Sequence, residues 1–145
     1  MQRITDDLRE LNNQLARVTL AVGSRLDLRP GDLAVLDLIG REGPHSPKDL
    51  AERLHIHPAT LTGVLDRLEQ GGWVRREPDP ADRRRIRVAA EKARSAEIAR
   101  RYGPMSRSIA AICADYSPAE LEIVHDFLVR IARAGADAAG AVDSS

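Results

Sequence analysis

Apolar residues recur along the N-terminal segment at alternating steps of four and three positions. The series consists of Ile4, Leu8, Leu11, Leu15, Val18 and Val22. Such steps place a narrow apolar stripe on one side of an α-helix, and a stripe of this width packs against another helix. Pro30 follows and suits the first turn of a second helix. The apolar positions of that second helix are Leu33, Leu36, Leu38 and Ile39.

The middle of the chain predicts two short helices followed by a hairpin. Ser46 can cap a third helix with Pro47 in its first turn, and Pro58 opens a fourth that ends at Gly71. We predict strands at 73–77 and 85–89, because the stretch between them, 78–82, is rich in turn-forming residues.

The last third of the chain is again helical in pattern. An apolar stripe continues to Ile112, with Gly103-Pro104 inside it, which should kink or break the helix. Ser117 and Glu120 have the spacing of a capping box and start a final helix. The predicted elements are therefore mainly α-helical, with one hairpin in the middle of the chain, and residues from 134 onward lack a periodic apolar stripe.

Composition and charge narrow the class of protein. Aromatic residues are only 3% of the chain, so the core must be aliphatic, which suits helices. The formal net charge is zero, which weakly disfavours a nucleic-acid binder. The local charge differs, because residues 73–90 hold six arginines against three acidic residues. The sequence shows neither a signal peptide nor an apolar run that could span a membrane, so we expect a cytoplasmic protein.

The order helix, turn, helix, hairpin is that of a winged helix, whose second helix can enter the major groove of DNA. That helix would bury Leu61, Val64, Leu65 and Leu68. The residues that we predict to contact DNA are His57, Ala59, Thr60, Thr62, Gly63 and Arg67. An ordinary amphipathic core helix would show the same stripe, so this helix alone does not decide the function.

The hairpin strengthens the DNA-binding interpretation. Arg83, Arg84 and Arg85 place three guanidinium groups at a tight turn, and arginine suits phosphates and the narrow minor groove. A charged turn that only contacts solvent is the alternative. A winged helix that binds a partner protein instead of DNA would have no need of these arginines.

The predicted fold is mainly α, a winged helix-turn-helix with a two-stranded β-hairpin wing and a helical dimerisation lobe from both termini. We expect four segments: an N-terminal dimerisation helix (1–29), a DNA-binding lobe (30–90), C-terminal dimerisation helices (91–133) and a disordered tail (134–145).

Several stretches resemble the MarR (multiple-antibiotic-resistance regulator) family. Residues 50–54, 57–62, 66–69 and 72–76 are similar to its helix-turn-helix, and 79–84 to its wing. The resemblance implies a homodimeric repressor that binds a pseudo-palindromic operator in double-stranded DNA. It also implies release by a small lipophilic or phenolic effector. Two departures are Gly63, where many members carry a larger residue, and residues 89–93, which replace the family's usual junction after the wing.

An effector pocket would be expected at the junction between the two lobes. Its candidate walls, judged from helix order, are Val22, Leu26, Leu33, Leu36, Ile98 and Tyr102. Plain core packing is the alternative for each of these residues.

Other chemistry finds little support in the sequence. His55 and His57 lie two positions apart without a carboxylate or thiol at ligand spacing, so we predict no metal site. Cys113 is the only cysteine, which excludes an intrachain disulfide, and its place near the apolar stripe favours packing over redox sensing. No phosphate-binding loop or catalytic constellation is present, so we predict neither enzymatic activity nor a cofactor.

Overall fold

The computed structural model describes residues 1–143, which form six helices and one two-stranded sheet. The elements are α1 (Gln2–Leu26), α2 (Pro30–Glu42), α3 (Pro47–Leu54), α4 (Pro58–Gln70), β1 (Val74–Pro78), β2 (Ile86–Ala90), α5 (Lys92–Cys113) and α6 (Pro118–Asp143). The chain divides into two compact units, one comprising Met1–Arg101 and the other beginning at Tyr102, so that α5 belongs partly to each.

Side-chain caps fix where several helices begin. Ser46 accepts a hydrogen bond from the Asp49 N–H at 3.1 Å, which satisfies one of the free donors in the first turn of α3. At the start of α6, the Ser117 N–H donates to the Glu120 carboxylate at 2.8 Å, and the Glu120 N–H donates to the Ser117 hydroxyl at 3.3 Å. The helix starts predicted from the prolines and caps are therefore confirmed.

The core of the first unit lies between α2, α3, α4 and the sheet. Leu50, Leu61 and Val88 have almost no exposed surface, and each comes from a different one of these elements. Trp73, just before β1, is also buried. The apolar face predicted for α4 (Leu61, Val64, Leu65 and Leu68) is entirely buried, as expected. The core is aliphatic apart from this tryptophan, in keeping with the low aromatic content.

The two strands pair antiparallel from Val74 opposite Ala90 to Pro78 opposite Ile86. Each strand begins and ends one residue later than the sequence predicted. His45, in the loop between α2 and α3, adds an isolated bridge to Val88 through backbone bonds of 3.2 and 2.7 Å. This bridge ties the hairpin to the helices and gives a two-stranded sheet the support that it needs.

Two predictions about the C-terminal third are revised. Gly103-Pro104 does not break α5, which continues to Cys113 although proline removes one helical hydrogen bond, and the kink stays a prediction. A helix of 22 residues has enough remaining bonds on both sides to continue through that loss. α6 extends to Asp143, so residues 134–143 are helical and not a disordered tail. Alanine is the strongest helix former, and this segment is rich in it even though it lacks an apolar stripe. Residues 144–145 lie outside the described part.

The second unit exposes much of its apolar surface. Ile123, Val124, Phe127, Leu128 and Ile131, all on α6, are exposed large hydrophobic side chains. In the first unit, Ile4, Leu11 and Leu15 on α1 are exposed as well. Neither helix, nor any other in residues 1–143, is long and apolar enough to cross a membrane.

Candidate nucleic-acid interface

The start of α4 is fixed by a histidine cap. The Nδ1 atom of His57 accepts a hydrogen bond from the Ala59 N–H at 3.1 Å, and Pro58 occupies the first helical position. A neutral ring that accepts at Nδ1 carries its proton on Nε2. The predicted contact residue His57 therefore offers an Nε2–H donor beside the positive end of the helix dipole, an arrangement that suits a phosphate oxygen.

The N-terminal half of α4 presents small side chains to solvent. Ala59, Thr60 and Thr62 are exposed, as predicted, and Gly63 is half-buried. The Thr62 hydroxyl donates to the Pro58 carbonyl at 3.0 Å, so this hydroxyl is already used within the helix. Small residues let a helix approach the floor of a groove closely.

Arg67 is placed differently from the other predicted contacts. Its guanidinium donates to the Asp32 carboxylate at 2.9 Å and to the Gly63 carbonyl at 3.3 Å. The Asp32 side chain is only 4% exposed, and its other oxygen accepts from the Arg29 N–H at 2.9 Å. The carboxylate thus caps α2 and holds α4 at the same time. We missed this role of Asp32, although its place three residues after Arg29, in the first turn of a helix, was a signal for the cap.

Two aspartates shape the turn between β1 and β2. Asp79 accepts from the Ala81 N–H at 2.7 Å and Asp82 from the Arg84 N–H at 3.1 Å, bonds typical of turns. The Asp79 N–H in turn donates to the Arg85 carbonyl at 2.9 Å, which closes the loop. These two acidic residues lower the net positive charge of the wing, but they also stabilise the backbone of its turn.

The three wing-tip arginines are all exposed. The Arg84 side chain is 95% exposed and the Arg85 side chain 78%, and each stands 3.7–3.8 Å from an Asp82 oxygen, at the edge of ion-pair distance. Arg83 is exposed too. Such weak exposed pairs contribute little, so the guanidinium groups can exchange Asp82 for a phosphate at small cost.

Arginines at the base of the hairpin are instead engaged by carboxylates. Arg87 bonds to Glu77 at 2.6 Å, and this hydrogen bond is the main reason that the pKa of Glu77 lies below its ordinary value. Arg76 contacts Asp66 at 2.7 Å and also Glu69. The pKa of Arg76 is raised above its ordinary value, mainly by the hydrogen bond to Asp66. Of the basic cluster predicted at residues 73–90, only the tip thus offers loosely held charge.

Comparison with known proteins identifies the family. A model of the MarR family matches residues 28–86, from just before α2 to the first residue of β2. The HTH-type transcriptional regulator YcgE of Bacillus subtilis is 32% identical over 124 residues, covering 86% of this chain and 80% of the relative. This chain belongs to the MarR family. It is a helix-turn-helix transcriptional regulator that binds DNA, and the prediction that it is not an enzyme is confirmed by the names of its relatives.

Two further comparisons extend this result. The HTH-type transcriptional repressor YetL of Bacillus subtilis is 30% identical over 98 residues, covering 66% of this chain and 59% of the relative. The crystal structure of the transcriptional regulator Tm0710 from Thermotoga maritima is 26% identical, with a TM-score of 0.67 over 92% of this chain and 94% of that one. The predicted winged-helix fold is confirmed.

The first unit of this MarR-family protein contains a cavity of about 610 Å³, within the usual range of ligand pockets. Its wall includes Leu26, Asp32, Arg67, Trp73 and Arg94. The Arg94 guanidinium lies 3.7 Å from the centre of the Trp73 ring, a cation–π arrangement.

The predicted effector walls only partly coincide with this cavity. Leu26 lines it, whereas Val22, Leu33 and Leu36 are buried in the core. Ile98 and Tyr102 are half-buried residues of α5, and Tyr102 belongs to the second unit. Of the six predicted walls only Leu26 lines this cavity, whose polar wall residues were not among those predicted, and the effector site stays a prediction. Among residues 1–143, no group of three metal-ligating side chains comes together.

Proposed function

We propose that this protein is a homodimeric, sequence-specific repressor that binds a pseudo-palindromic operator in double-stranded DNA in the cytoplasm. The observation that carries the proposal is that Arg83, Arg84 and Arg85 are exposed and only weakly paired with acidic residues. They belong to the same winged-helix unit as α4, a capped helix whose N-terminal half exposes small residues. In this arrangement α4 enters the major groove and the wing arginines contact phosphates or the adjacent minor groove.

The apolar stripes on α1 and α6 support the dimer. Leu11 and Leu15 on α1 and Phe127 and Leu128 on α6 are large apolar side chains exposed to solvent, and clusters of such side chains mark surfaces that another chain covers. A symmetric dimer would cover these side chains and would place two α4 helices about 34–36 Å apart, one turn of DNA.

We also propose that a small lipophilic or phenolic effector controls DNA binding from the cavity beside α4. Because Arg67 and Leu68 of α4 line this cavity, a ligand in it bears on the helix that contacts DNA. The ligand shifts the equilibrium only if it binds the DNA-incompetent form more tightly. A tenfold loss of DNA affinity requires about 1.4 kcal/mol of coupling, and operator DNA must then weaken effector binding by the same factor.

The test begins with fragments of genomic DNA captured by the full-length protein and sequenced. A duplex carrying the enriched motif should bind at least 10³-fold more tightly than a scrambled duplex of equal length, the lower end of usual specificity ratios. Equal binding of both duplexes would contradict sequence-specific regulation. An absence of duplex binding, together with capture of a protein partner, would favour a winged-helix interaction module instead.

For the effector, affinity is measured by titration against the free protein and against the operator complex. Equal affinity in both states, with DNA still released, would contradict allosteric control.

A further inference from the structure

The long polar side chains of α4 are almost all held by other parts of the protein. Asp66 and Glu69 are both bonded to Arg76 of β1. Arg67 is bonded to Asp32 of α2. The remaining long side chain, Gln70, is the last residue of the helix and lies far from the N-terminal turns that reach base edges.

Separation of Arg67 from Asp32 would cost free energy. The Asp32 carboxylate is buried, and without Arg67 it would keep only the backbone N–H of Arg29. Release of Arg67 to a guanine would leave this buried carboxylate without its charged partner, which opposes the gain from the new contact. The ion pair therefore favours Arg67 remaining with Asp32 when DNA binds.

The side chains left at the N-terminal end of α4 are small and largely apolar. Ala59 offers a methyl group, and Thr60 offers a methyl group and a hydroxyl, and both residues are exposed. Gly63 offers no side chain, and a Cβ built there would meet only the Arg67 guanidinium, at 3.9 Å. The one apolar group that base pairs present in the major groove is the C5 methyl of thymine.

We propose that α4 recognises its operator chiefly through thymine methyl groups, which contact the methyl groups of Ala59 and Thr60. Hydrogen bonding of Arg67 to guanine plays no part. This inference rests on the proposed function, because it requires that α4 lie in the major groove. It assigns to Thr60 the role of a specificity-determining residue.

The experiment uses the full-length protein and the duplex recovered by selection. Each thymine is replaced in turn by deoxyuridine, which removes the methyl group and keeps every hydrogen-bonding group. We expect one or more thymines in each half-site where the replacement weakens binding by about fourfold, the value for one buried methyl group. If uridine is tolerated at every position, the inference is overturned.

Two variants of Thr60 locate the contact. Thr60→Ser keeps the hydroxyl and removes the methyl group, so it should abolish the preference for thymine over uridine at one position of each half-site. Thr60→Val keeps a methyl group and should retain that preference. Because Thr60 is exposed, neither change should disturb folding. If Thr60→Ser retains the preference for thymine over uridine at every position, the Thr60 methyl group makes no contact with a thymine methyl group and the role assigned to Thr60 is wrong.

A paired variant tests the exclusion of Arg67. Asp32→Asn combined with Arg67→Met removes both members of the pair, so no unpaired charge is buried. We expect the preferences at guanine positions to persist even if overall affinity falls, since altered packing weakens all duplexes alike. Selective loss of discrimination at a guanine would overturn the inference. If the protein prefers its operator to a scrambled duplex but tolerates deoxyuridine at every thymine, only this inference is contradicted. If it binds the operator and the scrambled duplex equally, the proposed function is contradicted as well.

Discussion

Removal of the Asp32 carboxylate should destabilise the protein far more than removal of a matched exposed carboxylate on the same helix. Asp32→Ala removes two bonds of 2.9 Å, one that caps α2 and one that holds Arg67 of α4. A hydrogen bond to a charged group contributes roughly 1.5–3 kcal/mol and a helix cap about 1 kcal/mol. Since the Arg67 side chain is 43% exposed, water can replace part of the lost contact. We therefore expect a loss of about 2–3 kcal/mol in the free energy of unfolding.

Asp37→Ala is the control. Asp37 also lies on α2 and also accepts an arginine bond of 2.9 Å, from Arg41, but both side chains are 63% exposed. An exposed pair four residues apart contributes only about 0.3–0.5 kcal/mol. Urea unfolding, followed by circular dichroism at one fixed protein concentration, measures both variants against the parent. If the two variants lose equal stability, Asp32 does not connect α2 to α4 in the way described.

Three further outcomes follow from the structure. Arg84→Ala should weaken operator binding by about 1–3 kcal/mol without changing the preferred sequence, and it should flatten the salt dependence, whereas Arg84→Lys should keep the salt slope. If affinity and slope both stay at parental values in Arg84→Ala, the wing does not touch DNA. Light scattering should report twice the 15.9 kDa mass of one chain, and a stable monomer at micromolar concentration would refute the dimer. The pKa of Glu120 lies below its ordinary value of 4.5, because the hydroxyl and then the N–H of Ser117 bond to the carboxylate. Its stabilisation is therefore present above about pH 4.5 and is lost as the pH falls through the lowered pKa. The stability difference between the parent and Glu120→Gln should vanish in acid, and a difference that persists there would show that the ionised carboxylate is not the cause.

Local patterns were sufficient to predict most of the helices and their starts. Pro30, Pro58 and the Ser117–Glu120 capping box each act within a few residues of the chain, so their effect can be read directly from the sequence. The apolar stripe of α4 was equally informative, because its period alone decides which residues are buried.

Features that depend on partners distant in the sequence could not be predicted in this way. Arg67 looked like an outward residue of α4, but its partner Asp32 lies 35 positions earlier. The neutralisation of Arg76 by Asp66 and Glu69 likewise requires α4 and β1 to meet in space. Net charge counts could not separate these engaged arginines from the loosely held ones at the wing tip.

The central claim is that α4 and the wing bind one defined duplex sequence as a symmetric pair, and one titration tests it most directly. The full-length protein is titrated into fluorescently labelled duplex carrying the enriched motif, with an excess of scrambled competitor, and anisotropy gives both affinity and stoichiometry. We expect saturation at two chains per duplex despite the scrambled competitor, with affinity that falls steeply as salt rises. Saturation at one chain per duplex, or equal affinity for the scrambled duplex, would contradict binding of a defined sequence by a symmetric pair.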